Sequence, residues 1–137
     1  MTSQVTCNTT KYAFTLSIGL GLLTWVLSPL LTGQREPWDA SGPYYMISLF
    51  TAGFVPSLIE PRRFWAWPIG VYLGQVLFLL GATVFWVVTD GGGANLVLVG
   101  VVLMPLFMWP TILGAGIGAA ARKVVERVRA RAGRRQR

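Results

Sequence analysis

The chain has 137 residues, 12 Lys+Arg against 5 Asp+Glu, one cysteine and no histidine, with 53% hydrophobic and 12% charged residues. A charged fraction half of the ~25% typical of soluble domains cannot cover a water-facing surface, which excludes an ordinary soluble globule, and the length admits one compact unit. Without histidine, and with Cys7 alone, a His-based triad, a zinc site, a CxxC redox pair and an intrachain disulfide are excluded. No catalytic residue, metal or cofactor is assigned.

Charge-free stretches cover residues 12–31, 43–59, 64–89 and 94–121. About 20 helical residues cross a hydrocarbon core of roughly 30 Å, so these stretches predict four spans. The expected fold is an all-α membrane protein: a four-transmembrane-helix bundle over 1–121 and a basic cytoplasmic tail over 122–137. The first apolar run is longer than a signal-peptide core and lacks an A-x-A site after it, so it is taken as a span.

Between the first two spans lies the richest polar segment, with Arg35, Glu36, Trp38 and Asp39. It predicts a folded loop in which Arg35 pairs with Glu36 or Asp39 and Trp38 plugs the membrane interface. The run from Asp39 to Pro43 then opens the second helix. The same four residues are the candidate contact for a ligand or partner on that side. The second stretch contains Gly53 and Pro56; a continuous helix is expected, with a broken or re-entrant one as the alternative. Pro61 then ends it, Arg62 and Arg63 act as topological anchors and headgroup ligands, and Glu60 pairs with one of them.

In the third stretch Trp65 and Trp67 read as interfacial, and Gly70-x-x-x-Gly74 predicts a close helix approach. Gln75 is the one amide deep in a span and is expected to bond a neighbouring helix rather than a substrate. In the fourth, Pro105 and Pro110 predict a kink, Met104 to Pro110 packs, and Gly114 and Gly118 open a small-residue patch for a second close approach. The short turns at 60–63 and 90–93 predict antiparallel packing of consecutive spans. No internal repeat is evident.

Topology follows from the positive charges. With the N-terminus inside, eleven cations fall on the cytoplasmic side and only Arg35 outside, which predicts an N-in, C-in protein. Residues 122–137 hold eight basic positions and one acid. Val124, Val125 and Val128 share one helical stripe, so the tail is expected to run along the interface and dissolve after Gly133. Arg62, Arg63, Arg122, Lys123, Arg127, Arg129 and Arg131 are candidate contacts for anionic headgroups, each worth roughly 1 kcal/mol near a charged leaflet. Nucleic acid is a weaker partner class, because no aromatics are interleaved with the arginines.

Arg35-Glu36-Pro37-Trp38-Asp39, the pair Tyr44-Tyr45, Pro61-Arg-Arg-Phe-Trp65 and Gly74-Gln75 resemble a set of small bacterial inner-membrane proteins with four predicted spans. The resemblance covers most of the first three spans. It implies a bacterial inner-membrane location and transfers no activity, ligand or catalytic residue.

No Asp, Glu, His, Lys or Arg lies inside a span, whereas pumps and secondary transporters mark their ion paths with such groups. The expected function is therefore an accessory or structural subunit of a larger membrane complex, with other membrane subunits or further copies of itself as partners. A small homo-oligomeric channel or transporter is the alternative. A membrane enzyme using Glu36 or Asp39 as acid or base is a third, weaker option.

Overall fold

A computed structural model describes residues 2–34, 36–40, 42–90 and 100–135. Among them the regular elements are all helical. Helix α1 (Thr2–Val26) is followed by the short α2 (Ser28–Thr32), α3 (Tyr44–Ile59), α4 (Ala66–Asp90), a helical stretch Gly100–Phe107 and α5 (Trp109–Arg135), with single 3-10 turns at Pro37–Asp39 and Pro61–Arg63.

One helical segment, Ala66–Thr89, is long and apolar enough to cross a membrane, and up to three qualify if each of two bent pairs is one span. The pairs are Asn8–Val26 with Ser28–Asp39, bent by 42°, and Gly100–Phe107 with Trp109–Arg134, bent by 41°. Helix α3 is shorter, with 16 residues, but unbroken through Gly53 and Pro56, which removes the broken-helix alternative for that stretch. Pro56 gives the Ala52 carbonyl no amide donor, yet the helix continues past it, and the Pro56 carbonyl accepts the Glu60 amide at 3.0 Å to close the last turn.

Both bends have local causes, and at each a tyrosine hydroxyl bonds a backbone carbonyl. Pro29 lacks the amide hydrogen that would continue α1, so the chain breaks at Leu27 and restarts as α2, which Gly33 closes in the left-handed conformation at φ 74°. The Tyr44 hydroxyl donates to the Thr24 carbonyl at this break, 2.8 Å away. In the fourth stretch Pro105 cannot donate to the Val101 carbonyl four residues before it, and the Tyr72 hydroxyl donates to that carbonyl at 3.2 Å. A freed carbonyl away from water must find such a donor. Tyr44→Phe and Tyr72→Phe should therefore each lower stability by roughly 0.6–1.7 kcal/mol, read as a shift in the denaturing-detergent midpoint of the helical circular dichroism. No shift in either would mean that water reaches these carbonyls.

The closest approaches join alternate helices, not the consecutive ones that the short turns predicted. Each is set by glycine. On α1 and α4, a Cβ at Gly21 would strike the Val71 backbone, one at Gly74 the Ile18 carbonyl and one at Gly70 the Ser17 side chain. On α3 and α5, a Cβ at Gly53 would strike the Thr111 carbonyl, and those at Gly114 and Gly118 the Phe50 and Phe54 carbonyls. Ser17 and Leu22 meet Gly70 and Gly74, and Phe50 and Phe54 meet Gly114 and Gly118, in the same order along both helices, so the partners run parallel. Each seam uses one glycine on the earlier helix and two, four residues apart, on the later. Consecutive helices pack through bulkier side chains and cannot approach as closely.

Three clusters fill the interior from end to end. Ala13, Trp67 and Ala115 lie at one end, Tyr45, Leu49, Ala52, Val71 and Met108 in the middle, and Trp25, Leu79 and Met104 at the other. Trp67 is therefore internal, with its indole N–H donated to the Glu60 carbonyl at 3.2 Å, whereas Trp65 is 62% exposed. Of the two tryptophans expected at the interface, only Trp65 faces outward. The outer surface is apolar: Leu30, Val88, Val102 and Leu106 are all more than 70% exposed, while Ser17, Thr24, Ser28, Ser57, Gln75 and Thr111 are buried.

The tail also differs from expectation. Helix α5 runs without interruption from Trp109 to Arg135, past Gly133. A helix with no break curves only gently, with a radius of roughly 60–100 Å, so α5 has no elbow at Arg122 that would lay its basic half down along an interface.

Candidate functional site

The interior polar groups converge on Gln75. Its position on α4, one residue beyond Gly74, carries the amide to the middle of the structure, where it is fully buried. The Gln75 Oε1 accepts the indole N–H of Trp25 at 3.2 Å and the hydroxyl of Tyr45 at 2.9 Å. Its Nε2 donates to Met108 Sδ at 3.4 Å. One side chain thus joins α1, α3, α4 and the bend before α5. Both lone-pair directions of the oxygen are used, so the amide acts as a junction and offers no acceptor to a substrate.

Above this junction the loop between α2 and α3 turns inward. Trp38 meets Trp25 edge-on, with centroids 4.8 Å apart and planes at 89°, and meets Tyr45 at 6.4 Å. Phe78 stacks on the other side of Trp25 at 5.5 Å. The Trp38 indole N–H donates to Glu36 Oε2 at 2.6 Å, which satisfies the one polar atom of the ring. Trp38 was expected to plug the loop into the membrane interface; it plugs the protein instead. Glu36 is held by that bond, and the Asp39 amide closes the turn onto the Glu36 carbonyl at 3.1 Å while the Asp39 side chain stays exposed. Arg35 lies outside the described residues, and so do Gly91, Gly92 and Gly93, where a short turn was expected. The loop is also tied to α2 through Ser28 Oγ, which donates to the Gln34 carbonyl at 2.9 Å.

At the opposite end the charged residues gather. Glu60 was expected to pair with Arg62 or Arg63, but its carboxylate accepts the Arg62 backbone amide at 3.1 Å and caps the Pro61–Arg63 turn. Both arginine side chains project outward. Arg122 pairs with Glu126 at 2.9 Å one helical turn on, an exposed contact worth roughly 0.3–0.5 kcal/mol. Lys123, Arg127, Arg129 and Arg131 are exposed along the free part of α5.

The predicted packing residues Gly70, Gly74, Gly114 and Gly118 all lie in the two seams. The sequence reading missed Gly21 and Gly53, which complete them, and missed Tyr44 and Tyr72 as donors to freed carbonyls. On the α3–α5 seam the hydroxyls of Ser57 and Thr111 are buried without a hydrogen-bond partner. No known protein family, curated protein or solved structure matches this chain.

Proposed function

We propose that the chain is a four-span protein of the bacterial inner membrane, N-in and C-in, serving as an accessory or structural subunit of a larger membrane complex. In this reading the two bent pairs are the first and fourth spans, and α3 and α4 are the second and third. An apolar exterior, the span-lining Ser, Thr and Gln side chains turned inward, and tyrosine hydroxyls bonded to carbonyls at the breaks suit a helical chain in a lipid solvent. Lys11, Arg62, Arg63, Arg122 and Lys123 flank the end marked by Ala13, Trp67 and Ala115, which supports a common cytoplasmic side for them. Anionic headgroups are the lipid partners on that side.

The Gln75 junction carries the subunit reading. The deepest amide is spent on holding helices together, and no Asp, Glu, Lys or Arg is buried among the described residues, so the interior offers no station for an ion or proton. The channel alternative would place glycines on a pore wall. Gly21, Gly53, Gly70, Gly74, Gly114 and Gly118 instead face another helix of the same chain, which favours the structural role.

Two experiments test this. A periplasm-active reporter fused to the C-terminus should be silent and a cytoplasm-active one bright; the reverse overturns the orientation. Purification in mild detergent followed by native mass spectrometry should find stable heterologous membrane subunits, whereas a defined homo-oligomer without other subunits would favour the channel.

A further inference from the structure

The seven cations named as headgroup contacts do not form one set once α5 is seen as a single helix. We infer that an anionic phospholipid headgroup binds at a proximal collar formed by Lys11, Arg62, Arg63, Arg122 and Lys123, and that the distal arginines Arg129, Arg131 and Arg134 take no part. The inference rests on the membrane-spanning reading above.

Three chain segments meet at the collar. Ala13 of α1, Trp67 of α4 and Ala115 of α5 pack together, and Trp67 is bonded to the Glu60 carbonyl. The Pro61–Arg63 turn packs against the end of α3 and against α5. Lys11 stands two residues before Ala13, and Arg122 one helical turn beyond Gly118, which abuts Phe54 and Ser57 of α3. The cations therefore gather at the same end of the protein. Tyr12, Phe64 and Trp65 are exposed beside them, at 75%, 41% and 62%, and such amphipathic rings settle at the depth of the glycerol and headgroup region. Because the Glu60 carboxylate is engaged by the backbone of the turn, Arg62 and Arg63 keep their guanidinium groups for phosphate.

The distal arginines are carried away by the helix itself. At 1.5 Å per residue, Arg129 stands about 10 Å and Arg134 about 18 Å further along the axis than Arg122. The Debye length is about 8 Å at physiological salt, so their attraction to the leaflet is screened. A tail lying flat would have brought all of them into contact, and an unbroken α5 does not.

The test uses the full-length protein in a neutral detergent, titrated with phosphatidylglycerol, with phosphatidylcholine or with inorganic phosphate, and read by native mass spectrometry. A collar variant carries Arg62→Gln, Arg63→Gln, Arg122→Gln and Lys123→Gln; a distal variant carries Arg129→Gln, Arg131→Gln and Arg134→Gln. Each surface cation contributes a factor of about five, so the collar variant should lose at least about tenfold in phosphatidylglycerol affinity and the distal variant less than about twofold. Neutralising the collar still leaves seven of the eleven cytoplasmic cations, which preserves the charge asymmetry. Should the collar variant fail to fold, Arg63→Gln and Lys123→Gln singly are expected to weaken binding about fivefold each, and their Lys or Arg counterparts to retain it. Equal loss in the distal variant, equal binding of phosphatidylcholine, or displacement of the lipid by millimolar inorganic phosphate would each overturn the collar. Release of the protein from membranes by alkaline carbonate would instead overturn the membrane-spanning reading itself.

Discussion

Gly114→Leu combined with Gly118→Leu is expected to separate α3 from α5 and to unfold the protein in mild detergent. At both positions a new side chain would start inside a backbone carbonyl of α3, at Phe50 or Phe54, and a backbone cannot yield as a flexible side chain can. Overpacking commonly costs about 1–3 kcal/mol, and a forced backbone displacement lies at or above the top of that range. Two such sites approach the whole stability of a small domain, roughly 5–15 kcal/mol. The control lies on the same helix, because a Cβ at Gly116 meets no atom within 4 Å. Gly116→Leu should therefore raise stability slightly, by up to about 0.8 kcal/mol of helix propensity. Helical circular dichroism against denaturing detergent compares the three proteins; a double variant as stable as Gly116→Leu would show that the seam does not hold the helices.

Gln75→Leu keeps the volume of the junction and deletes its chemistry. The indole N–H of Trp25 and the hydroxyl of Tyr45 then lose their acceptor, and each buried unpaired donor costs about 1–3 kcal/mol. A loss of about 2–4 kcal/mol is expected. Tyr45→Phe alone should cost about 1 kcal/mol, but added to Gln75→Leu it should recover about 1–3 kcal/mol by deleting the unpaired hydroxyl, since removing both partners of a hydrogen bond is nearly neutral. That non-additivity is the signature to measure. Additive losses would mean that Tyr45 acts through packing and that Gln75 is not the point where the helices meet.

Helix placement was legible because each charge-free stretch falls on helix, 12–31 on α1 and α2, 43–59 on α3, 64–89 on α4 and 100–121 on Gly100–Phe107 and α5, although α1 starts earlier and α5 runs on through the charged tail. Proline chemistry also announced the bend in the fourth stretch. What stayed hidden was direction and partnership. Trp65 and Trp67 looked equivalent, but residues two apart on a helical path do not share a face, and only one of them faces outward. Gly21 and Gly53 have no glycine four residues away on their seam side, so no motif advertised them, and their necessity appears only against the backbone of another helix. Pro105 does tell a reader that the Val101 carbonyl is orphaned. That Tyr72 answers it, 29 residues earlier, is a tertiary fact with no local trace. For the loop between α2 and α3, composition suggested that Trp38 plugs the membrane interface, whereas its contact with Trp25 turns it inward.

The parallel seams have a consequence for biogenesis. Gly21 waits for Val71 and Gly53 for Thr111, so each seam closes across a chain separation of some 50 to 60 residues, and neither can form within the first hairpin. In the four-span reading proposed above, that hairpin enters the bilayer with both of its close-packing glycines unmatched, and it stays open until the second hairpin leaves the ribosome. The order of assembly that this reading implies is hairpin insertion first and zippering of two finished hairpins second. A chain halted after Arg63 is an unsealed half with two bare grooves, and a separately synthesised second half carries the two glycine pairs that fit them.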